Sequence, residues 1–169
     1  MKKAVFVTAP HMFRDEEYIE PKAILEDAGI EVKTASTVVG EIYGKIKIKA
    51  QSDMLASEIN PDDFDAIVFI GGPGSSVFFK DEDIHKTAKK FYDSGKIVSA
   101  ICIAPTILAN AGILKGRNAT VFPDGEDALI KGGAKYTAKD VEIDGRIITA
   151  DGPKSAKKFG QALVDMINR

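Results

Sequence analysis

The stretch Ala66-Ile-Val-Phe-Ile70, apolar at every position and followed by glycines at 71, 72 and 74, constrains this chain more than any other. A strand with no polar face must be covered on both sides, which points to the centre of a parallel sheet with helices above and below. The flanking sequence keeps to that plan. Residues 4–8 read as a first strand, 16–28 as a helix stopped by Gly29, and 30–35 as a second strand. Residues 38–44 and 45–49 suggest a hairpin or β-excursion. Its second arm is basic at alternate positions, as on a solvated or edge face. Residues 81–94 form an amphipathic helix with Ile84, Ala88 and Phe91 on one side and Gly95 as its stop. Further strands are predicted at 96–101 and 119–122, a helix at 103–111 and a hairpin around Asp144-Gly145. An amphipathic helix at 155–167 closes the chain. Short apolar runs alternating with helices define an α/β protein, here a three-layer α/β/α sandwich over one domain spanning residues 1–169. A chain of 169 residues can bury a sizeable core without disulfides or metal.

Ligand sites in open α/β sheets lie beyond the carboxyl ends of the strands. Three unusual segments converge there: the loop from Ala9 to Glu17, the run Gly71-Gly-Pro-Gly-Ser75, and Ala100-Ile-Cys-Ile-Ala-Pro105. The last holds the only cysteine, Cys102, at a strand-to-helix junction. Alanines two positions either side leave room for a sharp turn, as the glycines do in a Gly-x-Ser-x-Gly elbow. A thiol there faces the free N–H groups of the following helix. That setting can lower a cysteine pKa from ~8.5 into the range ~3.5–7.5, so a thiolate at neutral pH is expected. The alternative is a small buried hydrophobe with no chemistry.

The glycine run lacks the spacing of a dinucleotide or P-loop fingerprint. Its use beside a nucleophile is close backbone approach, with an N–H aimed at a developing oxyanion. Phe13-Arg-Asp-Glu-Glu-Tyr-Ile-Glu-Pro21 is acidic at a helix start, which the dipole alone favours. Pro21 cannot donate to the carbonyl of Glu17 and loosens the helix there. A carboxyl near a thiolate has its pKa raised by like charge and can shuttle a proton to sulfur. Of the two histidines, His85 lies on a polar helix, whereas His11 follows the first strand and is a possible accessory group.

Charges nearly cancel, with 23 Lys+Arg against 25 Asp+Glu, and give no case for nucleic acid or a membrane surface. A single cysteine makes no internal disulfide and no zinc cluster. No run approaches a transmembrane helix, and the N-terminal apolar run is too short for a secretory signal. A reducing cytoplasm is the expected location.

Taken together, the acidic segment 13–21, Ile70-Gly-Gly-Pro-Gly74, the cysteine segment 100–105, Ala111-Gly-Ile-Leu-Lys-Gly116 and Thr149-Ala-Asp-Gly-Pro153 resemble the ThiJ/PfpI superfamily over nearly the whole chain. The resemblance implies a flavodoxin-like sandwich and a homo-oligomer, usually a dimer. It makes Cys102 the nucleophile, Glu17 its acidic partner, and the N–H groups of Gly72 and Ile103 the oxyanion site. The chain departs from the protease-like branch, which has histidine where Ile103 stands, and from members with histidine or tyrosine at Phe122. No histidine follows His85, which removes the C-terminal His-x-Glu of the related amidotransferases. The expected activity is therefore cofactor-independent and metal-free, on a small reactive carbonyl or a glycated protein, of the glyoxalase or deglycase type. A cysteine peptidase and a redox-sensing stress protein are the alternatives.

Overall fold

A computed structural model describes all residues, 1–169. In chain order it contains β1 (Lys3–Val7), β2 (His11–Phe13), α1 (Asp15–Asp27), β3 (Glu31–Ser36), β4 (Gly40–Gly44), β5 (Lys49–Ser52) and β6 (Met54–Leu55). There follow β7 (Ala66–Phe69), α2 (Glu82–Asp93), β8 (Ile97–Ile101), α3 (Pro105–Asn110), β9 (Asn118–Ala119) and α4 (Glu126–Lys131). The chain closes with β10 (Lys135–Tyr136), β11 (Val141–Asp144), β12 (Ile147–Ala150) and α5 (Ala156–Ile167).

The main sheet runs β11-β12-β8-β7-β1-β3-β6, parallel except for β11 at one edge. Strand alternation sorts the apolar residues onto two faces. Val5, Val7, Ile67 and Phe69 point into one core with Phe91 of α2, Ile107 and Leu108 of α3, and Leu129 of α4. Ala4, Phe6, Ala66 and Val68 point into the other with Tyr18 and Leu25 of α1 and Phe159 and Leu163 of α5. Both faces are covered, which is why the run at 66–70 carries no polar residue. Helices α1 and α5 meet closely at Gly160, where a Cβ would lie 3.0 Å from Pro21 Cα. The flavodoxin-like α/β sandwich expected from the sequence is thus present.

Three local expectations are corrected. Residues 45–48 form a turn, and the second arm starts only at Lys49. The buried carboxylate of Asp15 accepts the N–H groups of Ile46 and Ile48, both at 3.0 Å, so those amides serve a turn rather than a ladder. The strand expected at 119–122 stops at Ala119 and pairs with β10 outside the main sheet. Beyond it, Thr120 N donates to Thr149 Oγ1 and Phe122 N to the Cys102 carbonyl, so the chain is diverted to side chain and elbow. Helix α3 begins at Pro105 rather than 103, because Cys102 and Ile103 form a turn closed by Ala104 N to Ile101 O.

Strands β3 and β7 flank β1 on opposite sides, so the order switches beside β1. The carboxyl ends of β1, β7 and β8 lie together at that switch, where such sheets hold their ligands.

Candidate active site

Cys102 directly follows β8 with φ of +65°, a left-handed conformation that non-glycine residues rarely adopt. Such a backbone persists only when its surroundings fix it. Here Cys102 N donates to Ala150 O at 2.9 Å, and its carbonyl accepts Phe122 N at 2.7 Å. The elbow is therefore tied to β12 on one side and to the 120–122 segment on the other. Cys102 is 9% exposed. The backbone N–H groups of Ile103 and Gly72 lie close enough to pull its pKa down.

Glu17, in the first turn of α1, is fully buried. Its Oε1 accepts Gly71 N at 3.1 Å, while Oε2 has no hydrogen-bond partner. Cys102 is its neighbour: Cys102 Cβ and Glu17 Oε1 both crowd the space beside Gly71, and each side chain shifts the other's pKa. Glycine at 71 is what permits this approach. A Cβ there would sit 2.7 Å from each of Cys102 Cβ, Glu17 Oε1 and the Ile101 carbonyl. Gly72 has φ of +100°, and a Cβ would strike Arg14 N at 2.5 Å.

Burial pushes the Glu17 carboxyl up to about 8, outweighing its bonds to Cys102 and Gly71 and the charge of Arg14. Burial, followed by the Glu17 charge, pushes the Cys102 thiol up to about 12, against the Ile103 and Gly72 N–H groups. Burial thus works against the thiolate expected at neutral pH. Helix α3 has only six residues, and its N-terminal field does not offset desolvation. The pair gives up its first proton near pH 8, and the remaining proton belongs to both groups rather than to either alone. Donors at Gly72 and Ile103 pull the thiol pKa down without reversing the order of the two groups.

A cavity of about 400 Å3 opens on the thiol. Gly72, Pro73 and Ile103 line it near sulfur, Phe122 and Pro153 form an apolar wall, and Arg14, Lys45 and Asp124 carry charge into it. A larger hollow of about 490 Å3 between α1, β3 and β5 contains neither Cys102 nor Glu17. His11 is not brought to the thiol. Its ring stacks on Tyr43 at 5.8 Å, and it lines a separate shallow depression with Met12, Gly74 and Val77. No group of three or more His, Cys, Asp or Glu side chains converges as a metal-ligand set.

The structure therefore gathers Cys102, Glu17, Gly72 and Ile103 and leaves His11 outside. Sequence reasoning missed Arg14, Lys45 and Asp124 as cavity residues. Lys45 arrives through the pairing of β2 with β4, and no periodicity announces a three-residue strand.

Fold and site define a flavodoxin-like α/β protein with a buried cysteine–glutamate pair at the switch point of its sheet. The chain belongs to the DJ-1/PfpI family, whose model matches residues 2–166. An uncharacterized protein of Methanocaldococcus jannaschii is 42% identical over 99% of this chain and 83% of its own length. A protein of Pyrococcus horikoshii named as a deglycase is 35% identical over 98% of this chain and 99% of its own. The crystal structure of a ThiJ/PfpI domain protein from Brachyspira murdochii superposes with a TM-score of 0.96 at 38% identity, covering 98% and 96% of the two chains.

Proposed function

We propose that the protein is a cofactor-independent enzyme of reactive carbonyl chemistry, converting 2-oxoaldehydes such as methylglyoxal, free or as adducts of protein amines, to 2-hydroxy acids. The observation that carries this reading is the fully buried Glu17 carboxyl beside Cys102, with one oxygen, Oε2, free of any hydrogen-bond partner. Sulfur adds to the aldehyde carbon, and the carbonyl oxygen takes up a proton to give a hemithioacetal. Glu17 then removes the proton from that carbon and returns one to the neighbouring carbon, while the hydroxyl proton passes from the first oxygen to the second, leaving a thioester of the 2-hydroxy acid. Water cleaves the thioester, releasing the acid and the thiol. The sum is aldehyde plus water, with no oxidant or reductant. A carboxyl raised to about 8 is suited to both taking and giving a proton near neutrality. In this reading the N–H groups of Gly72 and Ile103 supply the donors for the oxyanion that develops on the carbonyl oxygen.

Peptide hydrolysis fits less well, because an amide leaving group needs a proton donor and no histidine lines the cavity. A redox sensor fits less well too, since oxidation also follows exposure and Cys102 is buried. Lactate release from methylglyoxal by the wild type and by Cys102→Ser is the deciding assay. Turnover that vanishes in the variant is expected. Equal turnover in both, or none alongside efficient cleavage of peptide amides by the wild type, overturns the reading.

A further inference from the structure

Two cations in the cavity wall have no role in the chemistry above. Strands β2 and β4 run side by side, with Phe13 opposite Gly44 and Lys45 N donating to the Phe13 carbonyl at 2.8 Å. The next residues along, Arg14 and Lys45, are therefore neighbours, and both line the Cys102 cavity. Arg14 is bound edge-on. Its Nε donates to Glu16 Oε2 at 2.6 Å, and neither terminal nitrogen has a hydrogen-bond partner in the fold. Lys45 pairs with no carboxylate at all. The one carboxylate in the lining, Asp124, forms no ion pair with either cation.

The backbone that carries Lys45 is tied to the start of α1. Asp15 holds the two amides after it, at Ile46 and Ile48, and Gly44 packs so tightly on Asp15 that a Cβ there would overlap the carboxylate. A mounted ammonium beside a guanidinium edge with free donors matches a carboxylate, which takes two parallel N–H bonds from such an edge.

We propose that Arg14 and Lys45 form an anion-binding subsite of the Cys102 cavity, which selects carbonyl compounds carrying a carboxylate within a few bonds of the carbon that sulfur attacks. The same subsite holds the 2-hydroxy carboxylate product. The selectivity part rests on the carbonyl reading of the site, whereas the anion subsite itself can be tested without any turnover.

Alkylation of Cys102 by iodoacetate and by iodoacetamide makes that separation. In both, sulfur forms a bond to the same carbon and iodide leaves, so only the carboxylate differs. The ratio of the iodoacetate to the iodoacetamide rate, divided by the same ratio for glutathione, reports anion recognition. A normalised ratio of about 10 or more is expected for the wild type, as for a steered anionic ligand, falling with added salt. It should drop toward 1 in Lys45→Gln and in Arg14→Gln, and Lys45→Arg should retain it. Each variant supplies its own iodoacetamide rate, so a general loss of structure does not mimic the effect. A wild-type ratio near 1, or one unchanged in both glutamine variants, overturns the proposal. A high, variant-sensitive ratio in a protein that makes no lactate keeps the subsite and removes the carbonyl reading. Lactate formation with a ratio near 1 does the reverse.

Discussion

Three successive carboxylates at the start of α1 have three different fates. Asp15 is buried and holds the turn at 45–48, Glu16 pairs with Arg14 at the cavity, and Glu17 turns inward to the thiol. In the sequence they look alike, as acids at a positive helix end, and only Pro21 marks Glu17 as unusual. Glu17 also carries a stability signature. Its folded pKa lies above the unfolded value, so its contribution to stability is fully present below about 4.5 and is lost as pH rises through about 8. Glu17→Gln is therefore expected to stabilise the protein at pH 8 by a few kcal/mol and to flatten stability between those limits, as read by urea unfolding at several pH values. A variant less stable than the wild type at pH 8 would contradict a buried carboxyl that resists ionisation.

The elements that build the site are short, and their backbone hydrogen bonds leave the ladders. Strands buried on both faces, such as β7 and β8, were legible as largely apolar runs, and the amphipathic helices α2 and α5 by their period. The turn at 45–48 and the stretch at 120–122 were not, because side chains and the elbow claim their amides. Asp15→Ala removes two part-buried hydrogen bonds, and each is worth about 1.5–3 kcal/mol when the acceptor is a carboxylate. Hydrogen exchange at Ile46 and Ile48 should accelerate in that variant more than at Phe6 or Val68 in the sheet. Uniform acceleration would mean that Asp15 supports the whole fold rather than this turn. Gly71→Ala is expected to displace Cys102 or Glu17, since the new Cβ meets backbone on one side and the dyad on the other. Slower iodoacetamide labelling in a protein that still folds is the readout.

At the scale of the molecule, the switch in strand order beside β1 brings a loop, a glycine run and an elbow to one point, and the sequence announced all three. What the sequence could not supply was the balance of energies at that point, where burial outweighs the helix terminus and holds protons on both members of the dyad. A homodimer is the expected solution state, and sedimentation equilibrium that gives only monomer at micromolar concentration would remove it. The central claim is that Cys102 and Glu17 act as one protonic unit. The rate of lactate formation at limiting methylglyoxal, followed from about pH 5 to about pH 10, tests it most directly. The account predicts a rise through about pH 8 as the dyad loses its first proton, with no activity in Cys102→Ser and no such limb in Glu17→Gln. A flat profile, or a Glu17→Gln enzyme with the wild-type rate and pH dependence, would contradict it.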